Sequence, residues 1–137
     1  TAESLAPFGI TITFEAINTR DMPGFLISTG QQMLDIIAEL NHPAIKAQFD
    51  IYHMALMGHN VCDFINLHAA KIGHIQFADI PKRGEPGSGT LDFPSIFRCI
   101  ETSGYKGWVG AEYKPTRTTS MTMQWKRDLA VNVALCS

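Results

Sequence analysis

At 137 residues, with 45% hydrophobic and 18% charged side chains, the chain reads as one domain long enough to bury a core. Its formal charge of −2 gives no electrostatic basis for binding nucleic acid or an anionic membrane surface. No apolar run approaches the roughly 18 residues a transmembrane helix needs, so neither nucleic acid nor a membrane is an expected partner.

Thr1–Gly9 reads as the tail of a helix and a turn. The first predicted strand, Ile10 to Glu15, follows, and Asn18-Thr-Arg-Asp-Met-Pro-Gly24 is a polar loop with strong turn chemistry. A helix starts at Ser28 or Thr29, where Thr29-Gly-Gln-Gln32 has capping-box spacing. Met33, Ile36, Ile37 and Leu40 form its apolar stripe, and Asn41-His-Pro43 ends it. The second strand, Ala44 to Asp50, leads into the segment 51–58. A helix carrying Val61, Phe64, Ile65 and Leu67 or His68 on its apolar side then runs to about Ala70.

The third strand reaches Gln76 and opens into Pro81-Lys-Arg-Gly-Glu-Pro-Gly-Ser-Gly89, a long charged loop of the kind that carries function on a rigid scaffold. Asp92 is placed to cap a helix with Pro94 in its first turn, Phe93, Ile96, Phe97 and Ile100 as its stripe, and Gly104 just past its end. The fourth strand ends at Glu112, and a last helix is predicted from Ser120 to about Val133. Trp108 and Trp125 read as packing residues. Cys62, Cys99 and Cys136 are odd in number and lack C-x-x-C spacing, which predicts free buried thiols in a reducing compartment and, by default, a cytoplasmic protein.

The order β-α-β-α-β-α-β-α with right-handed crossovers predicts a parallel α/β sheet. Thr11, Thr13 and Glu15 share one face, as do Lys46, Gln48 and Asp50, and His74 with Gln76. A parallel sheet is normally apolar on both faces. So polar a face points to the interior of a barrel lined toward an active site, and four βα units make half of an eight-fold TIM barrel, a (βα)4 unit. Glu15, Asp50, Gln76 and Glu112 each close a strand, all at one expected register, at the C-terminal end where such barrels place chemistry. Three carboxylates and an amide oxygen form a donor set suited to Mg²⁺ or Mn²⁺. His53 is a candidate electrophile or substrate-oxygen partner beside that metal. Arg83 in the long loop, or Arg20 in the first loop, could clamp a substrate carboxylate. His42, His59 and His68 have no partners at useful spacing.

Five ordered motifs carry a resemblance. Phe-Glu-Ala-Ile-Asn-Thr-Arg-Asp-Met-Pro-Gly-Phe (14–25), Gln-Phe-Asp-Ile-Tyr-His-Met (48–54), Gly-His-Ile-Gln-Phe-Ala-Asp (73–79), Arg-Gly-Glu-Pro-Gly-Ser-Gly (83–89) and Gly-Trp-Val-Gly-Ala-Glu-Tyr-Lys-Pro (107–115) are similar to the hydroxypyruvate isomerase family. That family lies within the xylose-isomerase-like TIM barrels, alongside ketose 3-epimerases and endonuclease IV. The resemblance implies that Glu15, Asp50, Gln76 and Glu112 hold a divalent metal and that Glu15 and Glu112 shuttle the proton. It also implies that His53, Arg83 and Glu85 line the substrate, and that hydroxypyruvate and tartronate semialdehyde are interconverted. A 2-oxo-tetronate isomerase, a ketose 3-epimerase and a non-catalytic half-barrel module are the competing readings. An endonuclease would need several His ligands for Zn²⁺ and a basic groove, and neither is present. Because the resemblance covers only the last four of eight barrel units, the chain is expected to be a fragment of a longer one or to self-associate over the open half-barrel.

Overall fold

In the computed structural model, which describes residues 1–128, the sheet is built in simple chain order. β1 (Ile12–Glu15), β2 (Ile45–Asp50), β3 (Ile72–Phe77) and β4 (Trp108–Ala111) run parallel, each paired with the next. Adjacent parallel strands require crossover connections, and after a short first helix, α1 (Ala2–Leu5), these are carried by α2 (Gly30–Leu40), α4 (Val61–His68) and α5 (Phe93–Thr102). The architecture is α/β, as the alternation of patterns predicts.

Local chemistry sets the helix ends. The Thr29 hydroxyl accepts from Gln32 N–H, and the Gln32 side chain accepts from Thr29 N–H, so the capping box closes as the spacing predicts. Asn41 ends α2 in the left-handed region. Asp92 caps α5, whose Phe93, Ile96, Phe97 and Ile100 are all buried, and Gly104 follows with φ of 79°. One short helix was not visible in the periodicity: α3 (Ile51–Leu56) starts directly at the end of β2, with Asp50 as its cap through a bond from Tyr52 N–H.

The core lies between the sheet's outer face and the helices. Phe49 stacks on Phe64 with ring centroids 4.5 Å apart, while Phe77 meets Phe93, Phe97 and Trp125 edge-on. Gly30 allows the first turn of α2 to lie against Phe64, where a Cβ would collide with the ring.

Several expectations need correction. The strand-end residues are not at one register. Glu15 pairs with Gln48, Asp50 pairs with Gln76, and Glu112 lies one residue beyond β4, its N–H bonded to Phe77 O. The ladder shifts between Ala47 and Gln48, opposite Gly73, where a side chain would strike Thr13 and Lys46. Staggered strands are what closure into a tilted barrel demands. Leu67 is 75% exposed and Trp108 59% exposed, so neither packs in the core; Trp125 does. The last predicted helix is broken into α6 (Thr119–Thr122) and α7 (Trp125–Asp128), and its remainder lies outside the described residues. Cys62 and Cys99 are joined in a disulfide between α4 and α5, with Cα atoms 5.6 Å apart, instead of being free thiols. The cysteine pattern therefore lends no support to a reducing compartment; Cys136 lies outside the described residues. Among the described residues no helix is long and apolar enough to cross a membrane.

Candidate active site

The parallel ladder delivers polar side chains of the inner face to the C-terminal edge of the sheet. Thr13 Oγ1 donates to Gln48 Oε1 at 3.3 Å. The Gln48 amide in turn donates to Glu15 Oε2 at 2.9 Å and to Gln76 Oε1 at 2.6 Å. One side chain thus fixes two of the expected metal ligands, and the register that aligns Gln48 with Glu15 makes it possible.

Glu15, Asp50 and His53 converge, with one potential ligand atom of each within 4.8 Å of the others. Asp50 is held by its capping bond from Tyr52 N–H, and α3 turns His53 back over it, leaving His53 Nε2 3.6 Å from Asp50 Oδ2 and 3.7 Å from Glu15 Oε1. The electrostatics follow from removing carboxylates from water. Burial, reinforced by Asp50, pushes Glu15 up to about 7, and burial likewise lifts Asp50 to about 6. Burial and the neighbouring Arg83 push His53 down to about 4, so its ring is neutral at pH 7. Glu15 Oε1 is buried with no hydrogen-bond partner among the described residues. An orphaned carboxylate oxygen next to a second buried carboxylate is a costly arrangement that a hard divalent cation would relieve, so the residues fit one. A Glu–Asp–His group of this size could bind a metal.

Arg83 crosses the mouth of the group. Its Nη2 donates to Glu112 Oε2 at 2.7 Å and lies 3.4 Å from Asp50 Oδ2, and the guanidinium rests 4.9 Å from the Tyr52 ring centre. Glu112 is half-exposed and reaches the group through this ion pair. A cleft of about 610 Å³ opens here, lined by Glu15, Asp21, His53, Arg83, Glu112 and Lys114 among others.

The sequence profile of the xylose isomerase-like TIM barrel family matches residues 1–131. The chain belongs to that family. It is 42% identical over 124 residues to hydroxypyruvate isomerase of Escherichia coli (strain K12), covering 90% of this chain and 48% of the relative. It is 40% identical over 124 residues to 2-oxo-tetronate isomerase of Cupriavidus necator, with the same shares. Among solved structures, the family 2 AP endonuclease from Brucella melitensis superposes with a TM-score of 0.89 at 36% identity, covering 93% of this chain and 49% of that one. The chain spans about half the length of the curated relatives it matches, and its four-stranded sheet is half of such a barrel.

In this xylose isomerase-like half-barrel two predicted substrate residues lie elsewhere. Glu85 is buried and turned away from the Glu15–Asp50–His53 group: its carboxylate accepts from Thr116 Oγ1 and from Thr116 N–H at 3.1 Å. It fastens the long loop to the segment after β4. Arg20 is exposed, and its guanidinium makes no polar contact among the described residues; only its backbone N–H is engaged, by Asn18 Oδ1. Residues that the sequence did not single out hold the frame together. Asp79, 1% exposed, accepts backbone N–H bonds from Ile80, Gly87, Gly89 and Leu91, which shapes the loop that presents Arg83. Asn18, fully buried, ties the first loop to His53. Asn18 opens a stretch rich in turn residues and Asp79 closes a strand motif just before the long loop, and neither position points to the partner it binds.

Proposed function

We propose that this chain supplies the metal-binding and proton-transfer residues of an isomerase that interconverts hydroxypyruvate and tartronate semialdehyde. The observation that supports it most is the convergence of Glu15, buried Asp50 and His53 within 4.8 Å of one another beside the Arg83 guanidinium. A carboxylate held within reach of the substrate is what removal of a proton α to a carbonyl requires.

In this reading Glu15, Asp50, Gln76 and Glu112 hold Mg²⁺ or Mn²⁺, which when bound supplies Lewis acidity at the substrate oxygens. Arg83 exchanges part of its ion pair with Glu112 for the substrate carboxylate, a planar group that matches its fork. One glutamate takes the proton from the hydroxymethyl carbon of hydroxypyruvate, and the other returns a proton to the former carbonyl carbon. The hydroxyl proton passes between the two oxygens, so no oxidant is consumed. His53 faces the oxygens where negative charge develops. The cleft's carboxylates (Glu15, Asp21 and Glu112 against Arg83 and Lys114), with Asp50 buried beneath them, disfavour a polyanionic substrate such as nucleic acid.

A 2-oxo-tetronate isomerase is the second reading, supported by the 40% identity to the Cupriavidus necator enzyme; it would use the same residues on a longer 2-oxo acid. A ketose 3-epimerase would have no substrate carboxylate for Arg83. Because the sheet's polar inner face must be covered to exclude water from an enediolate, turnover is expected with a complementary half-barrel closing the lumen, within one chain or from a second copy. The test is conversion of hydroxypyruvate, and in parallel of a 2-oxo-tetronate, with Mg²⁺ or Mn²⁺ and an EDTA control. EDTA-sensitive formation of tartronate semialdehyde is expected. Preference for the four-carbon acid would favour the second reading. Failure of Mn²⁺ binding to respond to Asp50→Asn would remove the metal site altogether.

A further inference from the structure

His53 meets two donors at one ring nitrogen. Asn18 N–H donates to His53 Nδ1 at 3.2 Å, and Asn18 Nδ2 lies 2.6 Å from the same atom. A backbone N–H can only donate, so Nδ1 must present a lone pair. The orientation of the Asn18 amide is fixed independently. Its Oδ1 accepts from the backbone N–H groups of Arg20 at 3.0 Å and Asp21 at 2.8 Å, which turns its NH₂ toward the ring and toward Asp21 Oδ2 at 3.0 Å. Tyr52 OH donates to that same Asp21 oxygen at 2.7 Å, so the chain of bonds closes back onto α3, one residue from His53. Asn18 and His53 are 0% and 3% exposed, which removes water as a competing partner.

A neutral imidazole whose Nδ1 accepts carries its proton on Nε2. We propose that Asn18 is a positioning residue that locks His53 in the Nε2–H tautomer, so that His53 meets the substrate as a hydrogen-bond donor and is not a metal ligand. The substrate half of this statement rests on the function proposed above; the tautomer does not. Nε2 is 3.6 and 3.7 Å from the nearest carboxylate oxygens, outside hydrogen-bond range, so its proton is not consumed by Asp50 or Glu15. A nitrogen bearing a proton has no lone pair to give a cation. That leaves the metal to oxygen donors, and His53 completes the geometric cluster without ligating.

The test reads the ring nitrogens of the full chain, uniformly ¹⁵N-labelled, by long-range ¹H–¹⁵N correlation at pH 7, with His53 identified by loss of its pattern in His53→Gln. Nδ1 is expected at the shift of an unprotonated ring nitrogen and Nε2 at that of an N–H. The reverse pattern, or an average of two tautomers, would overturn the proposal without any change at Asn18. Adding Mg²⁺ should leave the N–H signature on Nε2; its loss would make His53 a ligand and refute the assignment. Asn18→Asp keeps the acceptor for Arg20 and Asp21 but replaces the NH₂ facing the ring with an oxygen. It should draw the proton onto Nδ1, and persistence of the native pattern would show that the Asn18 side chain does not set the tautomer. No step measures turnover, so the outcome is separable from whether hydroxypyruvate is the substrate.

Discussion

Gln48 stands level with Glu15 in the β1–β2 register and donates to its Oε2 at 2.9 Å, while the same amide nitrogen reaches Gln76 Oε1 at 2.6 Å. In the proposed ligand set it touches neither substrate nor metal, but it orients two groups that would. Gln48→Leu keeps the volume and removes both bonds. Partners of this kind set metal affinity by 10–100-fold in other sites. Calorimetric titration should therefore show Mn²⁺ binding weakened by roughly ten- to a hundredfold. An unchanged affinity would mean that neither Glu15 nor Gln76 needs its orientation fixed.

The buried carboxylates impose a pH dependence on the metal-free protein. Glu15 rises from 4.5 to about 7 and Asp50 from 3.8 to about 6 on folding. The folded chain thus binds more protons than the unfolded one between those values, and stability from these groups falls as pH rises through the window. His53, lowered from 6.5 to about 4, acts in the opposite sense: the unfolded chain takes up the proton first, so its contribution is lost as pH falls from 6.5 toward 4. The wild-type profile is therefore a partial cancellation, and the difference between wild type and Glu15→Gln isolates the carboxylate. With EDTA present, Glu15→Gln should have the higher melting temperature at pH 8, and the gap should shrink toward pH 5. Mn²⁺ should stabilise the wild type more at pH 8 than at pH 5, because metal and protons compete for the same oxygens. A gap that widens toward pH 5 would contradict the raised Glu15.

Asp79 organises the loop that presents Arg83, whose own backbone is held at a φ of 58°. Four backbone N–H groups converge on its carboxylate. At Gly89 a Cβ would fall against the Ile80 carbonyl and the Asp79 side chain, so the loop closes tightly around it. Asp79→Ala leaves four partly buried donors without their acceptor, at about 1–3 kcal/mol for each that water cannot reach. Urea denaturation should show a loss of about 2–4 kcal/mol in total, since solvent can reach the N–H groups of Gly87 and Gly89. A loss below about 1 kcal/mol would mean that the loop re-forms its bonds with solvent or opens at little cost.

What the sequence revealed and what it hid divide along physical lines. The Thr29 box, the Asp92 cap and the stripe from Phe93 to Ile100 are local, set by residues three or four apart, and they appear as the pattern predicts. The alternation that places Thr13, Glu15, Gln48, Asp50 and Gln76 on one face is also local, and it was enough to bring out this polar cluster as the candidate site. The register was not legible, because the shift opposite Gly73 depends on how two distant segments pair. The directions of loop side chains were hidden for the same reason. Glu85 lies two residues from Arg83 yet bonds to Thr116, while Asn18, which reads as a solvated turn residue, is a buried partner of a histidine 35 positions away. Cys62 and Cys99 meet only because α4 and α5 lie side by side, which spacing alone does not reveal.

The two-base assignment makes the sharpest kinetic prediction. Glu15 ends β1 and Glu112 follows β4, so the glutamates approach the cleft from opposite edges of the sheet, with Arg83 bonded to Glu112 and Asp50 between them. Approach from two sides is the geometry that removes a proton from one carbon and delivers one to its neighbour. If each glutamate serves one carbon, Glu15→Gln and Glu112→Gln should each lower kcat by about 10²–10⁴-fold, the usual worth of a positioned acid or base. They should differ in a second measurement. In D₂O, the variant that keeps the base for the hydroxymethyl carbon should still exchange that hydrogen of hydroxypyruvate without forming product, while the other variant should exchange only from tartronate semialdehyde. Near-normal turnover in either variant would sink the pairing. Loss of exchange from both substrates in one variant, with the other still exchanging from both, would point instead to a single base working at both carbons.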